Sequence, residues 1–298
     1  MPPAGFDLRR AVSGHGWFDL PPFAWDPAAG ALTRSLSLSS GLAATVIVTE
    51  GAGALKLRVV ALRPLDRAAA DGARRAVAHM LRMDEPLEEF YEAAHRVEQP
   101  DLRWARGLGA GRLLRGPTVF EDLIKMLCTT NCTWALTRIM VSRLVDRAGP
   151  PAPLGFRVFP SPDDLARRPL RFFRDGARAG YRAPFLREVA VRVARQECDP
   201  ESWLSAARST DDIRREILDL PGAGPYVADN LLKLLGRYDG LGIDSWCRRR
   251  FAELHTRGRR VADRRIERFY APFGRWAGLA LWCDMTRDWL EGPGPPAL

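Results

Sequence analysis

Between residues 30 and 63, apolar and polar positions alternate with the period of a β-strand, in runs separated by turns rich in serine and glycine. From Asp66 onward, apolar residues recur three and four positions apart, which predicts α-helices. The predicted helices cover residues 66–97, 118–147, 183–196, 211–219, 225–236, 245–256 and 261–290. The pattern therefore predicts an α+β protein that is mainly α-helical, with a small N-terminal antiparallel β-sheet.

Prolines and glycines mark where this organisation is expected to break. We predict that Gly149–Pro153 is a loop inside the helical body, because no second sheet follows it. The expected units are an N-terminal antiparallel sheet domain with a linking helix (residues 1–100), a helical domain (residues 101–290) and a disordered tail (residues 291–298).

The composition indicates a globular protein, since 46% of the 298 residues are hydrophobic. No apolar run approaches the roughly 18 to 20 residues needed to cross a bilayer. The N-terminal residues do not have the charged-then-apolar pattern of a signal peptide, and the five cysteines include no CxxC pair. We therefore expect a cytoplasmic, nucleoid-associated protein without a disulfide scaffold and without a membrane partner.

The formal net charge of +9 predicts attraction to a polyanion. Only three of the 45 basic residues are lysines, and arginine is well suited to bidentate contacts with phosphate. A GC-rich genome that favours arginine codons explains this ratio equally well, but it does not explain the net charge.

The most informative segment is residues 216–230, which reads EILDLPGAGPYVADN: an apolar helix, a Pro-Gly-x-Gly turn and a second helix. Gly222 and Gly224 allow the backbone to turn sharply and to approach a ligand closely. The helix that follows presents unpaired N–H groups and the positive end of its dipole. The segment therefore predicts a phosphate-binding turn, and an ordinary tight corner between two helices is the structural alternative.

This turn resembles the hairpin of the helix-hairpin-helix DNA glycosylase superfamily. Asp244 follows Tyr226 by 18 residues and stands where the superfamily carries its catalytic aspartate. Similarity to the 8-oxoguanine DNA glycosylase family, and for the N-terminal part to 3-methyladenine DNA glycosylase II as well, extends over further segments: Gly16–Phe23, Leu127–Asn131, Phe159–Ser161, Gly180–Ala183 and Pro272–Ala277. The resemblance implies an enzyme that hydrolyses the N-glycosidic bond of flipped-out damaged bases in duplex DNA.

The chemistry of that reaction explains why an aspartate is needed. Breaking an N-glycosidic bond builds positive charge on the sugar, so a fixed carboxylate stabilises the transition state more than the ground state. At about 4 Å and an effective dielectric of about 20, the attraction is on the order of 4 kcal/mol, roughly a thousandfold in rate. Asp244 also fits the N-cap of a helix that begins at Ser245, and the two roles are compatible.

Tyr226 stands where bifunctional members of the superfamily carry a lysine that forms a Schiff base with the sugar. A tyrosine cannot form that adduct, and Lys233 lies two helical turns further along the chain. We therefore predict a monofunctional glycosylase, without AP lyase activity, that leaves an abasic site. An aromatic residue at this position is similar to 3-methyladenine DNA glycosylase II.

The resemblance places Tyr226, Asn230, Trp246 and Trp282 in the base pocket, and Gly278 offers no equivalent of the glutamine of the 8-oxoguanine enzymes. An aromatic pocket favours a positively charged alkylated purine such as 3-methyladenine, with a cation–π gain of about 0.5 to 2 kcal/mol. Packing of both tryptophans in the core is the structural alternative. Two other functions stay open: an 8-oxoguanine-type glycosylase that lacks lyase activity, and a non-catalytic DNA-binding protein.

The resemblance also assigns contacts with DNA. Asn131 and Tyr181 correspond to the side chains that fill the space left by the flipped base, and Arg182 to the one that contacts the base left behind. Arg248, in a run of three arginines, is a candidate phosphate contact or simply part of a solvated face.

The expected partner is double-stranded DNA containing damaged bases, bound by a monomer. We expect no cofactor, since only Cys283 lies near the C-terminus, where a related branch holds an iron–sulfur cluster with four cysteines. The four histidines show no metal-ligand spacing. Hairpin carbonyls in this superfamily can hold a monovalent cation, which the sequence neither supports nor excludes.

Overall fold

The computed structural model describes residues 2–3, 5–38, 41–51 and 53–292. Four strands form one antiparallel sheet in sequential order: β1 (Phe23–Asp26), β2 (Ala31–Ser37), β3 (Ala43–Gly51) and β4 (Ala54–Ala61). The first helices are α1 (Leu8–Ser13), α2 (Arg67–Met80), α3 (Glu88–Arg96), α4 (Trp104–Leu108), α5 (Val119–Thr129), α6 (Trp134–Ala148) and α7 (Pro162–Ala166). The later helices are α8 (Ala183–Ala194), α9 (Thr210–Leu218), α10 (Pro225–Leu234), α11 (Ser245–His255), α12 (Asp263–Tyr270), α13 (Ala277–Met285) and α14 (Arg287–Glu291). The α+β fold class is confirmed.

In the sheet, apolar side chains at every second position of a strand face the core. In β3, Ala44, Val46 and Val48 point into the core and are fully buried. The edge strand β4 pairs with β3 in a register that sets Ile47 opposite Arg58. β1 was not predicted, because a strand of four residues is too short to show alternation.

The hydrophobic pattern predicts helices that are too long at three places. The stretch at 118–147 is interrupted between α5 and α6, where Asn131 adopts a left-handed φ of 43°. The stretch at 66–97 is interrupted between α2 and α3, and a 3-10 turn at Ala271–Trp276 separates α12 from α13. The predicted loop after α6 contains a short 3-10 turn, Pro153–Gly155. The predicted tail lies outside the described residues from position 293 onward.

The sheet and the helices share one continuous apolar core. A buried ion cluster also crosses between them, since Arg34 of β2 donates to Glu121 of α5 at 2.8 Å and Lys125 Nζ lies 2.6 Å from the same carboxylate. Burial alone would raise the pKa of Glu121, but the two cations outweigh it and hold that pKa below its usual value. The division into domains at residue 100 stays a prediction.

Among the described helices, none combines the length and the apolar character that crossing a membrane requires.

Candidate active site

The glycine turn connects α9 to α10. Gly222 has a φ of +80°, and a Cβ there would lie 2.7 Å from Cδ2 of Phe185, so both conformation and space require glycine. Gly224 differs, since its φ is −94° and a Cβ would meet no atom within 4 Å. Only Gly222 is needed for the turn itself. Gly224, the N-cap of α10, leaves the end of that helix uncovered.

Asp244 is the N-cap of α11, as its sequence position suggests. Its Oδ1 accepts a hydrogen bond of 2.7 Å from the backbone N–H of Cys247. No described residue donates to Oδ2. The carboxylate is therefore oriented by one oxygen, and the other is left for a ligand.

A cavity of about 570 Å³ opens beside Asp244. Tyr226, Asn230, Trp246 and Trp282, the four predicted pocket residues, all line it. Further side chains in its wall, which the sequence did not assign to a pocket, include His15, Trp17, Thr129, Trp134, Arg249 and Trp289. The structure thus brings the predicted pocket residues together and adds a wall from the N-terminal segment.

A neighbouring groove of about 630 Å³ contains five of the six residues predicted to contact DNA, all except Arg182. Its lining includes Asn131, Tyr181, Gly222, Gly224 and Arg248. The groove and the cavity share Asp244 and Tyr226. Asp244 consequently stands where the groove beside the glycine turn meets the aromatic cavity.

Asn131 and Tyr181 lie side by side at the surface. The left-handed conformation of Asn131 is one that asparagine tolerates well, and its Nδ2 donates to the Tyr181 hydroxyl at 3.3 Å. The Tyr181 side chain is 55% exposed although it is aromatic. Both residues line the groove, and their roles as plug and wedge stay predictions.

The two arginines predicted to contact DNA are already paired. Arg182 is buried, and it donates to the Thr130 hydroxyl at 3.1 Å and to the Thr130 carbonyl. These bonds use Nε and Nη2 of Arg182 and support the loop carrying Asn131, whereas no described residue accepts a hydrogen bond from Nη1. Arg248 lies at the groove and forms a bidentate pair with Asp263, at 2.7 and 2.8 Å.

Asn230 lines the cavity, but its amide group is occupied. Nδ2 donates to the carbonyls of Tyr226 and Gly242, at 2.9 and 3.2 Å, and Oδ1 accepts from Lys233 Nζ at 3.1 Å. Lys233 also donates to the Leu241 carbonyl at 2.5 Å, and burial lowers its pKa. Asn230 and Lys233 thus fasten residues 241–242 to α10, two residues before Asp244.

The aromatic residues that line the cavity also pack against one another. Trp246 lies 6.1 Å from Trp282 and 5.9 Å from Trp289, between ring centroids. Trp282 Nε1 donates to the Gly14 carbonyl at 2.8 Å. Burial raises the pKa of Tyr226 to about 12, so its hydroxyl stays protonated at neutral pH. Packing and pocket lining are therefore compatible for both predicted tryptophans.

His15 is the most informative residue that sequence reasoning missed. Its ring lies 4.4 Å from Trp17 and 5.1 Å from Trp282, between centroids. Burial, followed by the charges of nearby lysines and Arg82, lowers its pKa to about 3, so the imidazole is neutral at physiological pH. A histidine outside any metal-ligand spacing gives no sequence signal of such a position.

No group of three or more His, Cys, Asp or Glu suited to a metal ion occurs in the part of the chain that the structure describes. The expectations about an iron–sulfur cluster and a monovalent cation stay predictions.

No family model matches the chain. It is 28% identical over 293 residues to a curated protein of Methanothermobacter thermautotrophicus named "Probable N-glycosylase/DNA lyase", covering 90% of this chain and 88% of that one. The structure is similar to the 3-methyladenine DNA-glycosylase of Archaeoglobus fulgidus, with a TM-score of 0.75 and 19% identity, covering 95% of this chain and 94% of that one.

A second similar structure is the 8-oxoguanine glycosylase/lyase of Clostridium acetobutylicum in its apo form, with a TM-score of 0.66, 17% identity and coverage of 91% of this chain and 93% of that one. The same enzyme is also known bound to double-stranded DNA with cytosine opposite 8-oxoguanine. The chain therefore has the fold of the helix-hairpin-helix DNA glycosylases, which confirms the resemblance seen in its sequence.

Proposed function

We propose that this protein is a monofunctional DNA glycosylase of base excision repair, which hydrolyses the N-glycosidic bond of flipped-out alkylated purines in duplex DNA. The observation that carries the proposal is the position of Asp244 at the junction of the aromatic cavity and the groove beside the glycine turn. The names of the similar proteins support glycosylase activity, and the lyase activity in the name of the Methanothermobacter protein is the part in which this proposal differs.

The groove and the cavity bind different parts of the substrate. The groove takes the sugar–phosphate backbone, since the uncovered N-terminus of α10 attracts a phosphate. The cavity takes the flipped base, and its volume of about 570 Å³ lies within the usual range for small-ligand sites. The sugar then lies between them, next to Asp244.

Asp244 supplies the main electrostatic contribution to catalysis. As the base departs, positive charge develops on the sugar, and the carboxylate stabilises it by roughly 4 kcal/mol at about 4 Å, equivalent to about a thousandfold in rate. The Cys247 N–H holds Oδ1, so the carboxylate does not have to reorganise during the reaction. The free Oδ2 is available to orient the attacking water.

The absence of lyase activity follows from the lysines. None of the three lysines is part of the lining of the groove or of the cavity. Lys56 is in β4, while Lys125 and Lys233 are buried. Tyr226, at the position of the Schiff-base lysine, keeps its proton. Water is therefore the nucleophile and an abasic site is the product.

The choice of alkylated purines rests on the aromatic wall. Tyr226, Trp246 and Trp282 line the cavity, and a base that carries a positive charge would gain about 0.5 to 2 kcal/mol for each good cation–π contact with them.

The test incubates the protein with duplexes that contain one damaged base, followed by alkali to cleave abasic sites. We expect 3-methyladenine or 7-methylguanine to be released, strand cleavage only after alkali, and no covalent adduct with borohydride. Asp244→Asn should lower the rate about a thousandfold and keep duplex binding, because asparagine is also a good N-cap.

Three results would contradict the proposal. A trapped adduct would show lyase chemistry. Release of 8-oxoguanine alone would exclude the alkylated substrates. Duplex binding with every glycosidic bond intact would identify a DNA-binding protein without catalysis.

A further inference from the structure

The chain segment that leads to Asp244, residues 237–243, belongs to no helix or strand. This connecting segment determines where the chain enters α11, and the Asp244 carboxylate is located at that entry. The position of the carboxylate therefore depends on the contacts that hold the segment. The side-chain hydrogen bonds to its last part come from α10.

Three side chains of α10 bond to the backbone of the connecting segment. Lys233 Nζ donates to the Leu241 carbonyl at 2.5 Å, and Asn230 Nδ2 donates to the Gly242 carbonyl at 3.2 Å. Asp229 Oδ2 accepts from the Gly242 N–H at 3.1 Å. Gly242 has a φ of +58°, and a Cβ there would collide with the side chain of Asn230. The segment is thus held tightly against α10, two residues before the carboxylate.

Lys233 is the member of this set that is least expected in a core. It is 2% exposed, and its Nζ forms no ion pair with a described residue. Removing an amino group from water costs free energy, which an apolar side chain of similar length would avoid. Such a side chain could not donate to the Leu241 carbonyl or to Asn230 Oδ1, at 3.1 Å. Lys233 thus holds the connecting segment directly and also through the amide group of Asn230.

We infer that Lys233 is a positioning residue for Asp244: its two hydrogen bonds fix residues 241–242, and thereby the carboxylate, so that Lys233 determines the rate of bond cleavage without contacting DNA. This inference rests on the proposed function and adds a residue of the core to it. Lys233 is absent from the described lining of both the groove and the cavity, so it acts through the backbone. A displacement of about 1 Å at a reacting centre lowers a rate by up to about a hundredfold.

The test measures duplex binding and single-turnover excision separately, on a duplex with a damaged base that the wild-type protein releases. Lys233→Met keeps the length of the side chain but removes the donor. We expect its rate at saturating protein to fall about ten- to a hundredfold, with a duplex dissociation constant within about twofold of wild type. Lys125→Met is the matched control, because Lys125 is also fully buried but contacts Glu121 and not the connecting segment. Its excision rate should stay at the wild-type value.

A double-mutant cycle distinguishes positioning of the carboxylate from a general loss of packing. If Lys233 acts through Asp244, then Lys233→Met should lower the rate by less than about twofold in a protein that already carries Asp244→Asn. Rates are corrected for spontaneous loss of the base. Lys233→Gln, which keeps an N–H donor on a shorter side chain, should lose less rate than Lys233→Met and replaces it in the cycle if the methionine variant does not fold.

The possible failures are distinguishable. An equal fold-loss of rate with and without Asp244→Asn overturns the inference and leaves the proposed function intact. A wild-type rate in the folded Lys233 variant does the same. If the wild-type protein releases no damaged base, the proposed function is wrong, and the inference is overturned with it.

Discussion

The groove beside the glycine turn and the aromatic cavity meet at one carboxylate but are built differently. In the groove, the one arginine of the described lining, Arg248, already has a protein partner in Asp263. In the cavity, polar groups such as those of His15 and Trp246 have none among the described residues. Under the proposed function, the groove would hold DNA mainly through its backbone, while the cavity would choose a base through its side chains.

The largest effect we expect is on the stability of the fold at acid pH, and it comes from His15 in the wall of the cavity. The pKa of His15 is about 3 in the folded protein and about 6.5 when unfolded. Between these values the unfolded chain binds more protons, so lowering the pH destabilises the fold by up to about 1.4 kcal/mol per pH unit. His15→Gln removes this contribution. Its free energy of unfolding should therefore fall less steeply than that of wild type between pH 6.5 and 4.

Two other buried groups serve as references for that experiment. Burial lowers the pKa of His79 to about 3. The free energy of unfolding of His79→Gln, a variant outside the cavity, should therefore also fall less steeply with decreasing pH than that of wild type. Burial raises the pKa of Asp122 to about 7, which acts in the opposite direction but is common to wild type and both variants. If the free energy of unfolding depends on pH in the same way in wild type and in His15→Gln, His15 is not buried in its neutral form.

An intermediate effect separates the two glycines of the groove. Gly222→Ala should lower the free energy of unfolding by about 1 to 3 kcal/mol, because φ is +80° and the methyl group would collide with Phe185. Gly224→Ala has neither problem and should leave stability nearly unchanged while weakening duplex binding. Chemical denaturation and a binding titration measure the two outcomes. Equal stability losses would mean that both glycines serve the turn alone.

The smallest effect concerns a groove side chain. Arg248→Ala should change stability by less than about 0.5 kcal/mol, because its pair with Asp263 is exposed. If Arg248 exchanges Asp263 for a phosphate, the variant should bind all duplexes more weakly and reduce the salt dependence of binding by about one counterion. Arg67→Ala, an exposed arginine of α2 away from both cavities, is the matched control. Identical salt dependence in the two variants would remove Arg248 from the interface.

The sequence predicted the part of the site that is local in the chain. The glycine turn, α10 and the N-cap at Asp244 lie within one continuous segment whose spacing determines its geometry. Trp282 could be added only through the family resemblance. The general fold was also predictable, because alternation and helical periodicity are properties of neighbouring residues.

The N-terminal wall of the cavity was beyond such reasoning. His15 and Trp17 lie in a short segment without a periodic pattern, and their position depends on contacts with residues far away in the sequence. The pairing of Arg182 was hidden for the same reason, since its partner Thr130 lies 52 residues earlier. Chemical identity alone does not reveal whether a polar group is already satisfied.

The hydrogen bond from Trp282 to Gly14 joins residues 268 positions apart. A ribosome that has finished α12 has already made the glycine turn and Asp244, but the last wall of the cavity, with Trp282 and Trp289, is still to come. The glycine turn and Asp244 are therefore synthesised before Trp282 and Trp289, and the lining of the cavity is completed only after α13 and α14 have been made.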